Sequence, residues 1–115
     1  KFYNFLQPSI HLKKYPSQFE KNMLEIKEGS YFGKYPVEVL KNYWIHIDEF
    51  YDYIRLNQKP KMNDLDPWFF DISEVFMDVN ENTYVDPTHY NPVGNKIIAN
   101  VIFQKTKKDL LNLCR

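Results

Sequence analysis

Two short aromatic runs, Lys1-Phe2-Tyr3-Asn4-Phe5-Leu6 and Trp68-Phe69-Phe70-Asp71-Ile72, constrain this chain most. Each is an apolar stretch of strand length, rich in residues that suit a pleated, buried backbone. The first stops at Gln7-Pro8, because proline has no N–H to give a ladder. Helical patterns lie between the two runs. Strands separated by helices predict a parallel pair joined by a βαβ crossover. Parallel sheets need cover on both faces, and two strands are too few for a self-sufficient layer. The expected class is therefore α/β, with parallel strands and covering helices. The expected organisation is residues 1–115 as the C-terminal part of a single larger domain, entered in mid-fold.

Ser17-Gln18-Phe19-Glu20 has the spacing of a capping box. The Ser17 hydroxyl can accept the Glu20 N–H while the Glu20 carboxylate reaches back to the Ser17 N–H. Phe19, Met23, Leu24 and Ile26 follow, and Gly29 is placed as a C-cap. A helix over about 17–28 is predicted. Pro36 suits the first turn of a second helix. Val37, Leu40, Trp44, Ile47, Tyr51 and Ile54 then form a stripe at helical spacing, with Glu38, Lys41, Asp48, Glu49, Asp52 and Arg55 falling away from it. Its bulky aromatics suit packing on a sheet better than a coiled-coil seam. Residues 57–67, with Pro60, Pro67, Asn57, Asn63, Asp64 and Asp66, read as a loop. Asn91 can cap a last helix with Pro92 in its first position. Val93, Ile97, Ile98, Val101, Ile102, Leu110 and Leu111 are expected on one side of it, and Lys105, Lys107 and Lys108 suit the dipole of its last turns.

Fifteen basic and 15 acidic residues balance to zero, so no basic face points to a nucleic-acid partner. No apolar run approaches the roughly 20 residues that span a bilayer. Cys114 is the single cysteine, which excludes an intrachain disulfide framework. Asp78, Asn80, Asn82, Tyr84 and Asp86 alternate like the start of an EF-hand loop, but Thr83 stands where that loop needs Gly and His89 where it needs Glu. His11, His46 and His89 are too scattered for a zinc motif. No metal and no organic cofactor is expected.

The chemistry concentrates in Asp86-Pro87-Thr88-His89, followed by Tyr90-Asn91-Pro92-Val93-Gly94-Asn95. Asp followed by Pro favours a type I turn, which brings its first and fourth residues together. A carboxylate and an imidazole can then meet without help from the rest of the fold. A carboxylate on Nδ1 fixes the tautomer and orientation of a histidine general base, the group a serine hydroxyl needs in order to attack a carbonyl. The helix opening behind His89 anchors the turn.

This closing block resembles that of SGNH (GDSL-type) serine hydrolases: Asp-x-x-His, a short polar stretch, Gly, then an apolar helix. Phe5-Leu6-Gln7-Pro8, the Ser17-x-x-Glu20 helix start, and Asp71-Ile72-Ser73 with Val75-Phe76 also look like the regions preceding that block in bacterial members. The resemblance implies the C-terminal portion of a flavodoxin-like three-layer α/β/α domain. It implies a serine esterase or acyl hydrolase acting through a Ser-His-Asp triad, with His89 as base and Asp86 as its orienting partner. The implied partners are an ester substrate, of acyl or carbohydrate-ester type, and the remainder of the domain in cis or in trans. The family's Gly-Asp-Ser block and its oxyanion Gly and Asn are not in this chain. Gly29-Ser30 lacks the intervening aspartate, and Asn63-Asp64 lacks the preceding glycine. Ser9, Ser17, Ser30 and Ser73 are unsupported as nucleophiles, and the isolated chain is expected to be inactive. The other reading is a non-catalytic interaction module whose exposed aromatics pair with another chain.

Overall fold

A computed structural model describes residues 3–25, 35–58 and 69–113. Within them the element order is strand β1 (Asn4–Leu6), a 3₁₀ turn (Ile10–Leu12), helix α1 (Gln18–Leu24), helix α2 (Val37–Tyr53) continuing into a π-helical turn (Ile54–Gln58), strand β2 (Phe69–Asp71) and helix α3 (Pro92–Leu113). The chain thus combines three helices with a small two-stranded sheet among the described residues. The two aromatic runs pair in parallel, with Asn4 opposite Phe69, Phe5 opposite Phe70 and Leu6 opposite Asp71. Phe5 and Phe70 stack with ring centroids 5.6 Å apart, a same-face contact of the kind that stabilises paired strands. Lys1, Phe2 and Trp68 lie outside the described residues.

The capping box forms as its spacing predicts. Glu20 donates its N–H to Ser17 Oγ at 3.2 Å, and Ser17 donates its N–H to Glu20 Oε2 at 2.7 Å. The helix is shorter than the predicted 17–28, because Glu25 is already extended at φ −68 and ψ 132. A seven-residue helix is below the length that holds itself in water. This one survives through its cap and the burial of Met23. The expected C-cap at Gly29 falls outside the described residues.

Glu20 does more than cap. Its side chain and that of Lys13 are both fully buried. Lys13 Nζ donates to Oε1 at 3.0 Å and Oε2 at 2.8 Å, and also to the Glu81 carbonyl at 2.8 Å. Thr83 adds its N–H to Oε1 at 2.8 Å and its hydroxyl at 3.0 Å. Burial works to raise the Glu20 pKa, but the hydrogen bonds from Lys13, Thr83 and Ser17 outweigh it and hold the carboxyl below its ordinary value.

Pro36 stands at the N-cap of α2 rather than inside its first turn. The predicted stripe faces inward at Leu40 and Tyr51, which are buried, and at Trp44, Ile47 and Ile54, which are half-buried; Val37 is exposed. Val37 sits at the helix start, where no described element covers it. Asn57 and Gln58 belong to the π-helical turn, not to a loop. The rest of the expected 57–67 loop is outside the described residues. Arg55 ties this end of α2 to the exit of β2 by donating to Ser73 Oγ at 2.7 Å, with Glu74 Oε1 3.2 Å away.

The core gathers Ile10, Met23, Phe76 and Tyr84, with Trp44, Val75, Tyr90, Ile97 and Ile98 packed against them. On α3 the expected apolar side is only partly covered. Ile97, Ile98, Val101 and Ile102 are half-buried, whereas Val93, Leu110 and Leu111 are exposed. Two strands cannot cover a helix about 33 Å long. Gly94 is required by close approach: a Cβ there would overlap the Thr83 carbonyl oxygen.

Two outcomes follow for stability. Glu20→Gln leaves Lys13 buried without its counter-charge and should cost about 3 kcal/mol in urea unfolding. The folded pKa of Glu20 is depressed, so its contribution is fully present above the ordinary value of 4.5 and is lost as pH falls through the lowered value. Wild-type stability should fall on acidification below that point, and the Glu20→Gln curve should be flatter there. Gly94→Ala should cost about 1–3 kcal/mol by forcing α3 away from Thr83.

Candidate active site

The segment before α3 folds back on itself. Tyr84 and Tyr90 form an antiparallel bridge, and Val85 donates its N–H to the His89 carbonyl at 2.9 Å. Residues 86–88 make the bend between them, with Pro87 buried beneath it. Asn91 donates its N–H to the Thr83 carbonyl at 2.9 Å and accepts the Gly94 N–H at its Oδ1 at 2.9 Å. It is therefore the N-cap predicted for α3, and the helix start and the turn are fastened at the same place.

Asp86 organises the turn. Its Oδ1 accepts the N–H groups of Thr88 and His89, each at 2.8 Å, and the Thr88 hydroxyl at 3.0 Å. Its two oxygens lie 3.0 and 2.8 Å from His89 Nδ1. Partial burial pushes the Asp86 pKa up, but these backbone, imidazole and hydroxyl donors together pull it down to about 2. The carboxylate is ionised throughout the neutral range and holds Nδ1–H. The imidazole then turns Nε2 away from Asp86, and its side chain is 75% exposed. Nε2 makes no hydrogen bond among the described residues. Both predicted site residues are thus brought together, with the carboxylate on Nδ1.

Thr88 escaped the sequence reading. Its hydroxyl lies 3.2 Å from His89 Nδ1 as well as against Asp86 Oδ1. The signal was present: a hydroxyl two residues after an Asp at a turn commonly joins an Asx-type network. Tyr90 was also missed. Its hydroxyl donates to the Pro8 carbonyl at 2.9 Å, which sets the His89 turn beside the carboxyl end of β1. Burial, with the neighbouring Tyr51, raises the Tyr90 pKa to about 12, so it stays a donor.

The serines are occupied elsewhere. Ser17 caps α1. Ser73 is buried, donates to Asp71 Oδ1 at 2.6 Å and accepts from Arg55. Ser9 lies against His11. None of these bonds to His89, and Ser30, Asn63 and Asp64 lie outside the described residues. Among the described residues no three His, Cys, Asp or Glu side chains converge as a metal site, and no helix is long and apolar enough to cross a membrane. No protein-family model, curated protein or solved structure matches the chain.

The geometry makes a spectroscopic prediction. Neutral His89 should be the Nδ1–H tautomer by ¹⁵N NMR, and Asp86→Asn should erode that preference. The Asp86 carboxyl carbon should titrate near pH 2. Because this pKa is depressed from 3.8, the order of the turn should be complete above that pH and lost as pH falls through the lower value.

Proposed function

We propose that this chain supplies the general base, His89, and its orienting carboxylate, Asp86, to a serine hydrolase that cleaves ester bonds. The observation that carries the reading is the grip of both Asp86 oxygens on Nδ1, with Nε2 unbonded among the described residues. That is the half of a Ser-His-Asp triad that precedes contact with the nucleophile. The place of the turn supports it too. In open parallel sheets, ligands bind beyond the carboxyl ends of the strands, and Tyr90 fastens the His89 turn to the residue two beyond β1.

In the complete enzyme a serine hydroxyl attacks the ester carbonyl as its proton passes to His89 Nε2. The same proton then goes to the departing alcohol. Water, deprotonated by His89, hydrolyses the acyl-enzyme. Asp86 stabilises the imidazolium formed at each step and does not itself take the proton. The nucleophile and the oxyanion donors belong to the remainder of an SGNH-type, three-layer α/β/α domain, in cis or in trans. The substrate class is an acyl or carbohydrate ester.

A second reading, an interaction module that pairs with another chain, is favoured by one observation. Val39, Tyr43, Phe50 and Tyr53 of α2 are all exposed, at spacings that place them on one side of the helix beside the buried stripe. The same surface serves the first reading if the remainder of the domain covers it.

Fluorophosphonate labelling of the native full-length protein separates the two. The hydrolase reading expects a labelled serine upstream of Lys1, and a loss of kcat on the order of 10⁶-fold in His89→Ala. The isolated 115-residue chain should hydrolyse p-nitrophenyl acetate no faster than its His89→Ala variant. Turnover by the isolated chain that His89→Ala abolishes would refute the division of the triad. Absence of a labelled serine upstream of Lys1 in the full-length protein would favour the interaction module.

A further inference from the structure

A second imidazole in the molecule carries a hydroxyl and a carboxylate. Ser9 Oγ lies 2.5 Å from His11 Nδ1, and His11 Nε2 lies 2.8 Å from Asp48 Oδ1. The carboxylate stands at ion-pair distance from Nε2, which has no other polar partner among the described residues. Asp48 therefore acts on the ring as a nearby charge, and packing supplies the orientation. The imidazole sits with its centroid 5.5 Å from that of Trp44 and 5.8 Å from that of Tyr51. Ser9 occupies the N-cap position of the Ile10–Leu12 turn, yet its side chain makes no capping bond. Its hydroxyl is committed to the ring instead.

We propose that Ser9 is a reactive hydroxyl, with His11 as its base and Asp48 as the charge that supports the imidazolium, able to accept an acyl group from an activated ester. In the Nε2–H tautomer, which the Asp48 charge beside Nε2 favours, the Nδ1 lone pair faces the Ser9 hydroxyl, as a general base requires. Burial lowers the His11 pKa, opposed by Asp48 and reinforced by Arg55, so the ring is neutral and available as a base at neutral pH. Asp48 is mostly exposed while His11 is nearly enclosed, so the ring meets the carboxylate at the protein–water boundary.

The step balances within these groups. A bond forms between Ser9 Oγ and the acyl carbon, and the ester C–O bond breaks. The leaving alcohol departs as its anion, and the serine proton rests on His11 Nδ1 before release to solvent. No oxyanion donors are assigned, so the expected reaction is acylation of one hydroxyl per chain rather than rapid turnover. The reaction does not pass through His89 and stands or falls separately from the hydrolase reading.

The test is incubation of the chain with p-nitrophenyl acetate, followed by peptide mass spectrometry and time-resolved p-nitrophenolate release. The acetyl group is expected on Ser9, and Ser9→Ala should remove it. His11→Asn should slow acetylation by roughly 10²-fold or more. Asp48→Asn should slow it by about 10-fold, in line with the loss of a charge partner of an imidazolium. His46→Gln, which alters an exposed histidine paired with Glu49, should leave it unchanged. Should His11→Asn fail to fold, Asp48→Asn decides, because its side chain is on the surface. Absence of acetyl on Ser9, or acetylation of Ser9 at the wild-type rate in Asp48→Asn, overturns the proposal.

Discussion

A buried carboxylate holds this structure in register. Glu20 accepts from Lys13, from Thr83 and from the backbone of Ser17, and each donor belongs to a different stretch of chain. An ion pair taken out of water costs several kcal/mol of desolvation per charge, and that cost is recovered only when every remaining lone pair and proton is satisfied. Here the pair is closed by the Glu81 carbonyl and the Thr83 hydroxyl. The result is specificity more than adhesion. Thr83 cannot shift without removing two of the hydrogen bonds that hold Glu20. The Thr83 carbonyl in turn receives the Asn91 N–H and meets Gly94 at a distance only glycine tolerates. The start of α3 and the Asp86–His89 turn therefore inherit their position from a charge pair built around the first helix.

That dependence explains what the sequence disclosed and what it withheld. Interactions closed within a few residues were legible: the Ser17–Glu20 box, the Asn91 cap, and the Asp86–His89 pair all follow from spacing alone. The parallel pairing of the two aromatic runs was legible from their separation by helices. The burial of Lys13 was not. A lysine among aromatics reads as surface, and its partners are Glu20, Glu81 and Thr83, the last two far along the chain. The end of α1 at Leu24 was hidden for a related reason, since tertiary contact rather than propensity sets how far a short helix runs. The apolar side of α3 was legible as a periodicity, but the extent of its cover was not. Periodicity reports which residues share a face; it does not report how much sheet there is to bury them.

The site divides along the same line. Asp86 and His89 meet through a turn that needs no other part of the molecule. Their location beside the carboxyl end of β1 needs Tyr90, whose bond to Pro8 spans nearly the whole chain. An Asp-x-x-His turn is chemically ordinary by itself, and here a phenol fixes where in the fold it sits.

Tyr51 and Tyr90 reach successive carbonyls, Gln7 at 2.7 Å and Pro8 at 2.9 Å. Burial raises both phenol pKa values, so both remain protonated donors across the neutral range. Asp86, at about 2, remains an ionised acceptor across the same range. The Asp86 carboxylate and the Tyr90 phenol beside His89 thus keep one charge state across the neutral range. For the general base proposed above this would matter: if its supports titrated alongside it, each proton taken would also loosen the turn, and the geometry required for attack would be lost at the step that uses it. A neutral phenol that ties the turn to Pro8 and an ionised carboxylate within it would, on the proposed reading, separate the proton carried for chemistry from the protons that hold the structure.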